Sequence, residues 1–182
     1  MKFTELALHG VWLIEPPAFD DERGSFFRDF CADEYAEHGL TPVVAQGNVS
    51  QNTHRATLRG FHYQAGPFGE AKTLACITGS LYDIVVDLRK DSPTFMQWIS
   101  LEISAVGHQS LYVPVGCANA WLTTAPNTTL HYYMSERFVP DSYRGIRYND
   151  PAFGFRWPSE PAVISEKDRT HPDFTPASLD QA

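Results

Sequence analysis

The chain has 182 residues and a formal net charge of −8, with 43% hydrophobic, 13% aromatic and 20% charged residues. This length suits a single domain, residues 1–182, that buries its core without staples, and the aromatic content excludes a disordered chain. With 14 Lys and Arg against that acidic balance, binding to nucleic acid or to an anionic membrane is not expected, because phosphate affinity needs clustered cations.

In chain order, Glu5 to Ile14 reads as a short strand ending at Pro16-Pro17, and a second strand begins near Ser25 after the turn at Arg23-Gly24. Cys31 to His38, with Gly39 as its cap, is the best helix, though only about two turns long. Val43 to Gln51 alternates so that Val44, Gln46, Asn48 and Ser50 share one polar side. LRGFHYQ, Leu58 to Gln64, is a strand carrying Arg59 and His62 among apolar residues. The clearest β pattern is Lys72 to Lys90, with Gly79-Ser80 read as its hairpin turn. Phe95 to Ser104, Gln109 to Val115, Ala120 to Thr124 and Thr128 to Ser135 are further strands, with a turn near Gly116. From Val139 onward, Pro, Asp and aromatic residues predict a segment that wraps the body, and 175–182 reads as a frayed tail. Many short strands with regular turn signals and a few short helices predict an all-β sandwich or barrel.

The chemistry is narrowed by what is missing. Seven histidines include no HxH or HExxH pair, so no metal is expected, and no phosphate-binding glycine loop is present. Cys31, Cys76 and Cys117 are too few and too scattered for a disulfide framework, which favours a reducing cytoplasm. No targeting segment and no apolar run near the ~18 residues of a membrane span are read. Acid–base chemistry remains: His62 as a base, Tyr132 or Tyr133 as an acid, and Lys72 or Arg59 as a fixed positive charge. Each also has a structural reading, as a bonded strand histidine, packed aromatics and a solvated strand-end lysine. Arg59 and His62 have opposite parity in a regular strand, so their joint use requires a bulge at Gly60 or a site shared between subunits.

Six motifs in order carry a resemblance: DERG (Asp21 to Gly24), LRGFHYQ, LYDIVVDLRKDSPTF (Leu81 to Phe95), PVGCANAW (Pro114 to Trp121), YRGIRYNDPAFGFRWP (Tyr143 to Pro158) and ISEKD (Ile164 to Asp168). Together they resemble the dTDP-4-dehydrorhamnose 3,5-epimerase family over nearly the whole chain. The resemblance implies a cupin-like double-sheet jelly roll, a homodimer, no cofactor and a nucleotide-linked 4-keto-6-deoxyhexose as substrate. It implies His62 as the base that removes a proton beside the C4 ketone, Asp168 as its partner, Tyr132 as the opposing proton donor and Lys72 as the enolate stabiliser. Arg23, Phe26, Gln46, Asn48, Arg59 and Lys167 match substrate-binding positions. Arg28, Asn119 and Tyr143 stand in that binding shell where the family usually has glutamate, histidine and glutamate, and Gly47 replaces an aspartate. These departures leave open a C3-only or C5-only epimerase, a keto-isomerase on another nucleotide sugar, or a silent sugar-nucleotide-binding cupin.

Overall fold

The computed structural model describes residues 1–180, in which strands dominate. The strands are β1 (Lys2–Glu5), β2 (Trp12–Glu15), β3 (Ala18–Asp21), β4 (Gly24–Phe27), β5 (Gln46–Asn52), β6 (Thr57–Gln64) and β7 (Lys72–Thr78). They continue as β8 (Ser80–Asp87), β9 (Trp98–Ser104), β10 (Ser110–Val113), β11 (Cys117–Thr123), β12 (Thr128–Met134), β13 (Tyr143–Gly145) and β14 (Val163–Ile164). Among the described residues the two α-helices are short, α1 (Ala32–Glu37) and α2 (Glu166–Arg169).

One six-stranded sheet runs β1-β2-β10-β7-β12-β5 and the other β13-β6-β11-β8-β9, with β14 added to β6 in parallel and β3-β4 standing apart as a hairpin. This is the double-sheet, mostly antiparallel architecture of a jelly roll. Inward side chains such as Leu74, Leu81, Val85, Ile103, Leu111 and Leu130 form the core between the sheets. A second apolar layer covers the outside of the second sheet, where Phe61, Ile84 and Ala120 meet Phe153, Phe155 and Trp157 of the wrapping segment. A third, around Ile14, Tyr35 and Tyr112, seats α1 on the first sheet. The double burial explains the nearly unbroken apolar run of β8, since a strand covered on both faces loses its polar alternation.

Three expectations need correction. Gly79 does not close a hairpin: β7 pairs with β10 and β12, whereas β8 pairs with β9 and β11 in the other sheet. Gly79 is a crossing point between layers, with φ at +78° and no room for a Cβ against Thr128 Oγ1. The turn near Gly116 likewise joins β10 and β11 across the two sheets. The first segment is two strands, not one, because Gly10 at φ +76° lies in the turn that lets β2 fold back on β1. Of the expected tail, Pro176–Asp180 forms a 3-10 turn and Leu179 packs on the outer apolar layer. Residues 181–182 lie outside the described residues.

Candidate active site

The inward rows turn polar at one end of the sandwich. On β12 the row passes from Leu130 to Tyr132, on β7 from Leu74 to Lys72, and β5 contributes Gln46 and Asn48. The opposite sheet brings His62 and Gln64 from β6 and Asn119 and Trp121 from β11. Between them lies a cavity of about 300 Å³. An outer cleft of about 400 Å³ runs beside it, walled by Arg59, Lys167 and Asp168, and His62 and Tyr143 line both spaces.

A register shift makes the β6 contribution possible. Asn119 faces His62 and Trp121 faces Arg59, so Gly60 and Phe61 together oppose one residue of β11. The extra residue reverses the parity, returning Arg59 and His62 to the same face while Phe61 points into the outer core. Gly60 has φ +110°, and a Cβ there would stand 2.6 Å from the Asn119 carbonyl oxygen.

The far end of the chain completes the dyad. β14 pairs beside Leu58, Ser165 caps α2 by accepting the N–H of Asp168 at 3.0 Å, and the Asp168 side chain reaches β6. His62 Nε2 donates to Asp168 Oδ1 at 2.7 Å, and the Gly60 N–H points to Asp168 Oδ2 at 3.4 Å. Burial raises the Asp168 pKa, but the His62 hydrogen bond and charge outweigh it and hold the carboxyl below the usual range. An ionised Asp168 keeps the proton of neutral His62 on Nε2, so Nδ1 is the basic atom.

Lys72 is buried, and its ammonium donates to the carbonyl of His62 at 2.9 Å and to Glu70 at 2.8 Å. Tyr132 projects from the sheet opposite His62, and burial raises its phenol above the ordinary value despite the charge of Arg59. Gln46 donates to Asn48 at 2.9 Å, and Gln46 also accepts the Phe138 N–H, so these amides form one linked edge. Arg59 Nε donates to Asn52 at 2.9 Å. Asn119 donates its amide N–H to the fully buried Asp83 at 3.2 Å. The Tyr143 ring lies 5.1 Å from that of His62, with the Lys167 ammonium 3.7 Å above it.

Arg23, Phe26 and Arg28 are not brought to the cavity or cleft. They sit on the exposed β3-β4 hairpin or just after it, where Arg23 pairs with Asp21 and Arg28 with Glu34. Sequence reasoning missed Gln64, Glu70, Trp121, Met134 and Phe138, which also line the cavity. Strand parity was the available signal for three of them, since each lies two residues from a named candidate on the same strand: Gln64 from His62, Trp121 from Asn119 and Met134 from Tyr132.

Residues 5–176 match the family model described as dTDP-4-dehydrorhamnose 3,5-epimerase. The dTDP-4-dehydrorhamnose 3,5-epimerase of Sinorhizobium fredii is 35% identical over 175 residues, which is 96% of this chain and 90% of that protein. A solved structure of the Bacillus anthracis 3,5-epimerase, with TDP and PPi bound, aligns with a TM-score of 0.91 at 36% identity, over 95% of this chain and 99% of that one. A 3′-monoepimerase from Streptomyces bikiniensis in complex with dTDP-quinovose aligns with a TM-score of 0.87 at 32% identity, over 97% and 88% of the two chains.

Proposed function

The chain belongs to the dTDP-4-dehydrorhamnose 3,5-epimerase family, and from that premise we propose that His62 and Tyr132 are its base and acid on a dTDP-linked 4-keto-6-deoxyhexose. The protein is an isomerase of this type, serving deoxysugar biosynthesis. The C4 ketone acidifies the protons on C3 and C5. His62 Nδ1 takes one of them, the bonding pair moves onto the ketone oxygen as an enolate, and Asp168 stabilises the imidazolium that forms. The Lys72 ammonium meets the charge on oxygen, where a pre-positioned donor contributes about 3 kcal/mol. Tyr132 then protonates the carbon from the other side, inverting it, and solvent exchange restores both groups to their starting protonation states.

The observation that carries this reading is topological: the imidazole and the phenol come from opposite sheets and line the same cavity. The sugar occupies that cavity and the diphosphate lies in the outer cleft near Arg59 and Lys167, with Gln46, Asn48, Asn119 and Tyr143 as further contacts. In deuterium oxide, the protein is expected to place deuterium at C3, C5 or both of dTDP-4-keto-6-deoxyglucose. His62→Ala abolishes exchange, whereas Tyr132→Phe keeps exchange and loses inverted product. Absence of exchange in the wild type across dTDP-, CDP- and GDP-linked 4-keto-6-deoxy sugars would overturn the proposal. Deuterium at C3 alone would identify a monoepimerase, a reading favoured by Asn119 and by the Tyr143 ring packed on His62.

A further inference from the structure

Glu70 is a buried carboxylate in the cavity wall, 4% exposed, to which the proton transfers above give no role. It precedes Lys72, the first residue of β7, by two residues, and both side chains line the same cavity. Its Oε1 accepts from the Lys72 ammonium at 2.8 Å, and its Oε2 accepts the backbone N–H of Gln64 at 2.9 Å. The ammonium also donates to the His62 carbonyl at 2.9 Å. Carboxylate and ammonium thus form a bracket anchored to β6 at residues 62 and 64, on the same strand that carries the base.

An ammonium has three N–H donors. Among the described residues, Glu70 and the His62 carbonyl take two of them, which leaves one for the cavity. A lysine side chain is otherwise a flexible stem with a mobile point charge. Two anchors restrict its rotamers before substrate arrives, and a donor placed in advance needs no reorganisation when charge develops. We propose that Glu70 is the positioning residue for Lys72, directing its third N–H to the oxygen that becomes the enolate. Because that oxygen carries full charge only in the transition state and intermediate, the effect belongs to kcat and not to substrate affinity.

The inference rests on Lys72 being the enolate donor, so Lys72→Met is measured first in the full-length protein with dTDP-4-keto-6-deoxyglucose. Glu70→Gln is expected to lower kcat by about 10- to 100-fold with KM changed by no more than about twofold. The rate of deuterium uptake falls in parallel, because enolate formation is the step affected. In the Lys72→Met background, adding Glu70→Gln changes kcat by less than about twofold, as expected for groups acting as one unit. Glu70→Ala serves as a second variant: added formate restores its kcat when Lys72 is present and not when it is methionine.

Independent, multiplying losses from the two substitutions overturn the assignment, as does a rise in KM at constant kcat. An unchanged kcat in Lys72→Met removes the reading of Lys72 itself, and the role of Glu70 with it. A large loss in Lys72→Met with none in Glu70→Gln removes only the role of Glu70.

Discussion

Asp83 and Asp168 are both buried acids near the cavity, and their surroundings drive them in opposite directions. Asp168 has a donor for each oxygen and sits below the usual carboxylate range. Asp168→Asn removes the charge that orients and stabilises the His62 imidazolium, and kcat is expected to fall by about 10²- to 10⁴-fold with the fold intact by circular dichroism. Asp83 has one bond, from Asn119, and its second oxygen is unpartnered among the described residues. Burial pushes its pKa well up, against the hydrogen bond from Asn119 and the charge of Lys72. A folded-state pKa above the unfolded value means that the native state holds the proton longer. The contribution of Asp83 to stability is therefore complete below about pH 4 and is lost as pH rises beyond it. The melting temperature of Asp83→Asn should gain on the wild type as pH is raised from 4 to 8, and a pH-independent difference would contradict this. His62 was legible in the sequence as a histidine in an apolar strand, but its basic atom was not, because the tautomer depends on a partner 106 residues away.

Two local devices hold the β scaffold in register. The bulge at Gly60 is required by the parity of Arg59 and His62, and the φ and crowding at Gly60 explain why glycine occupies it. Gly60→Ala is expected to cost about 1–3 kcal/mol in urea unfolding and to lower kcat with it, since relief of the clash displaces β6 beside His62. At the end of β8, the fully buried Asp87 accepts from Arg89, Ser92 and Thr94, binding the turn that leads to β9. Burial alone would raise this carboxyl, but those bonds outweigh it and bring the pKa down to about 2. A depressed pKa contributes stability above the unfolded value that disappears as pH falls through the folded one. About 2 kcal/mol present at neutral pH should thus be lost between roughly pH 4 and pH 2. Acid titration of unfolding free energy in wild type and Asp87→Asn checks this, with the wild-type slope over that window absent from the variant.

On the scale of the molecule, the β3-β4 hairpin presents Phe19 at 68% and Phe26 at 75% exposure, and it carries Arg23 away from its own cavity. The homodimer that the family resemblance implies would let this hairpin reach the partner's cavity, and that would reconcile the substrate-binding role expected of Arg23, Phe26 and Arg28 with their absence from the lining of the cavity around His62. The protein should run at twice the chain mass in solution. Mixing and reassembling His62→Ala with Arg23→Ala chains should then restore about a quarter of wild-type activity, because half of the dimers are mixed and each holds one intact site. Wild-type activity in Arg23→Ala alone would place the hairpin outside the active site, and an inactive Arg23→Ala with no gain on mixing would overturn its service to the partner's cavity.

The sequence by itself was sufficient for the family, through six ordered motifs, and for the β-rich architecture, through turn residues and alternating strands. These signals survive because period-two patterning and turn chemistry are local and need no knowledge of what a strand pairs with. Only the tertiary structure decided that Gly79 crosses between sheets, that Gly10 splits the first segment into two strands, and that Glu70 joins Lys72 to β6. It also decided which face each inward row shares. Pairing partners are set by burial and hydrogen bonding between residues far apart in the chain, and a local pattern shared by hairpins and crossings carries no record of that choice.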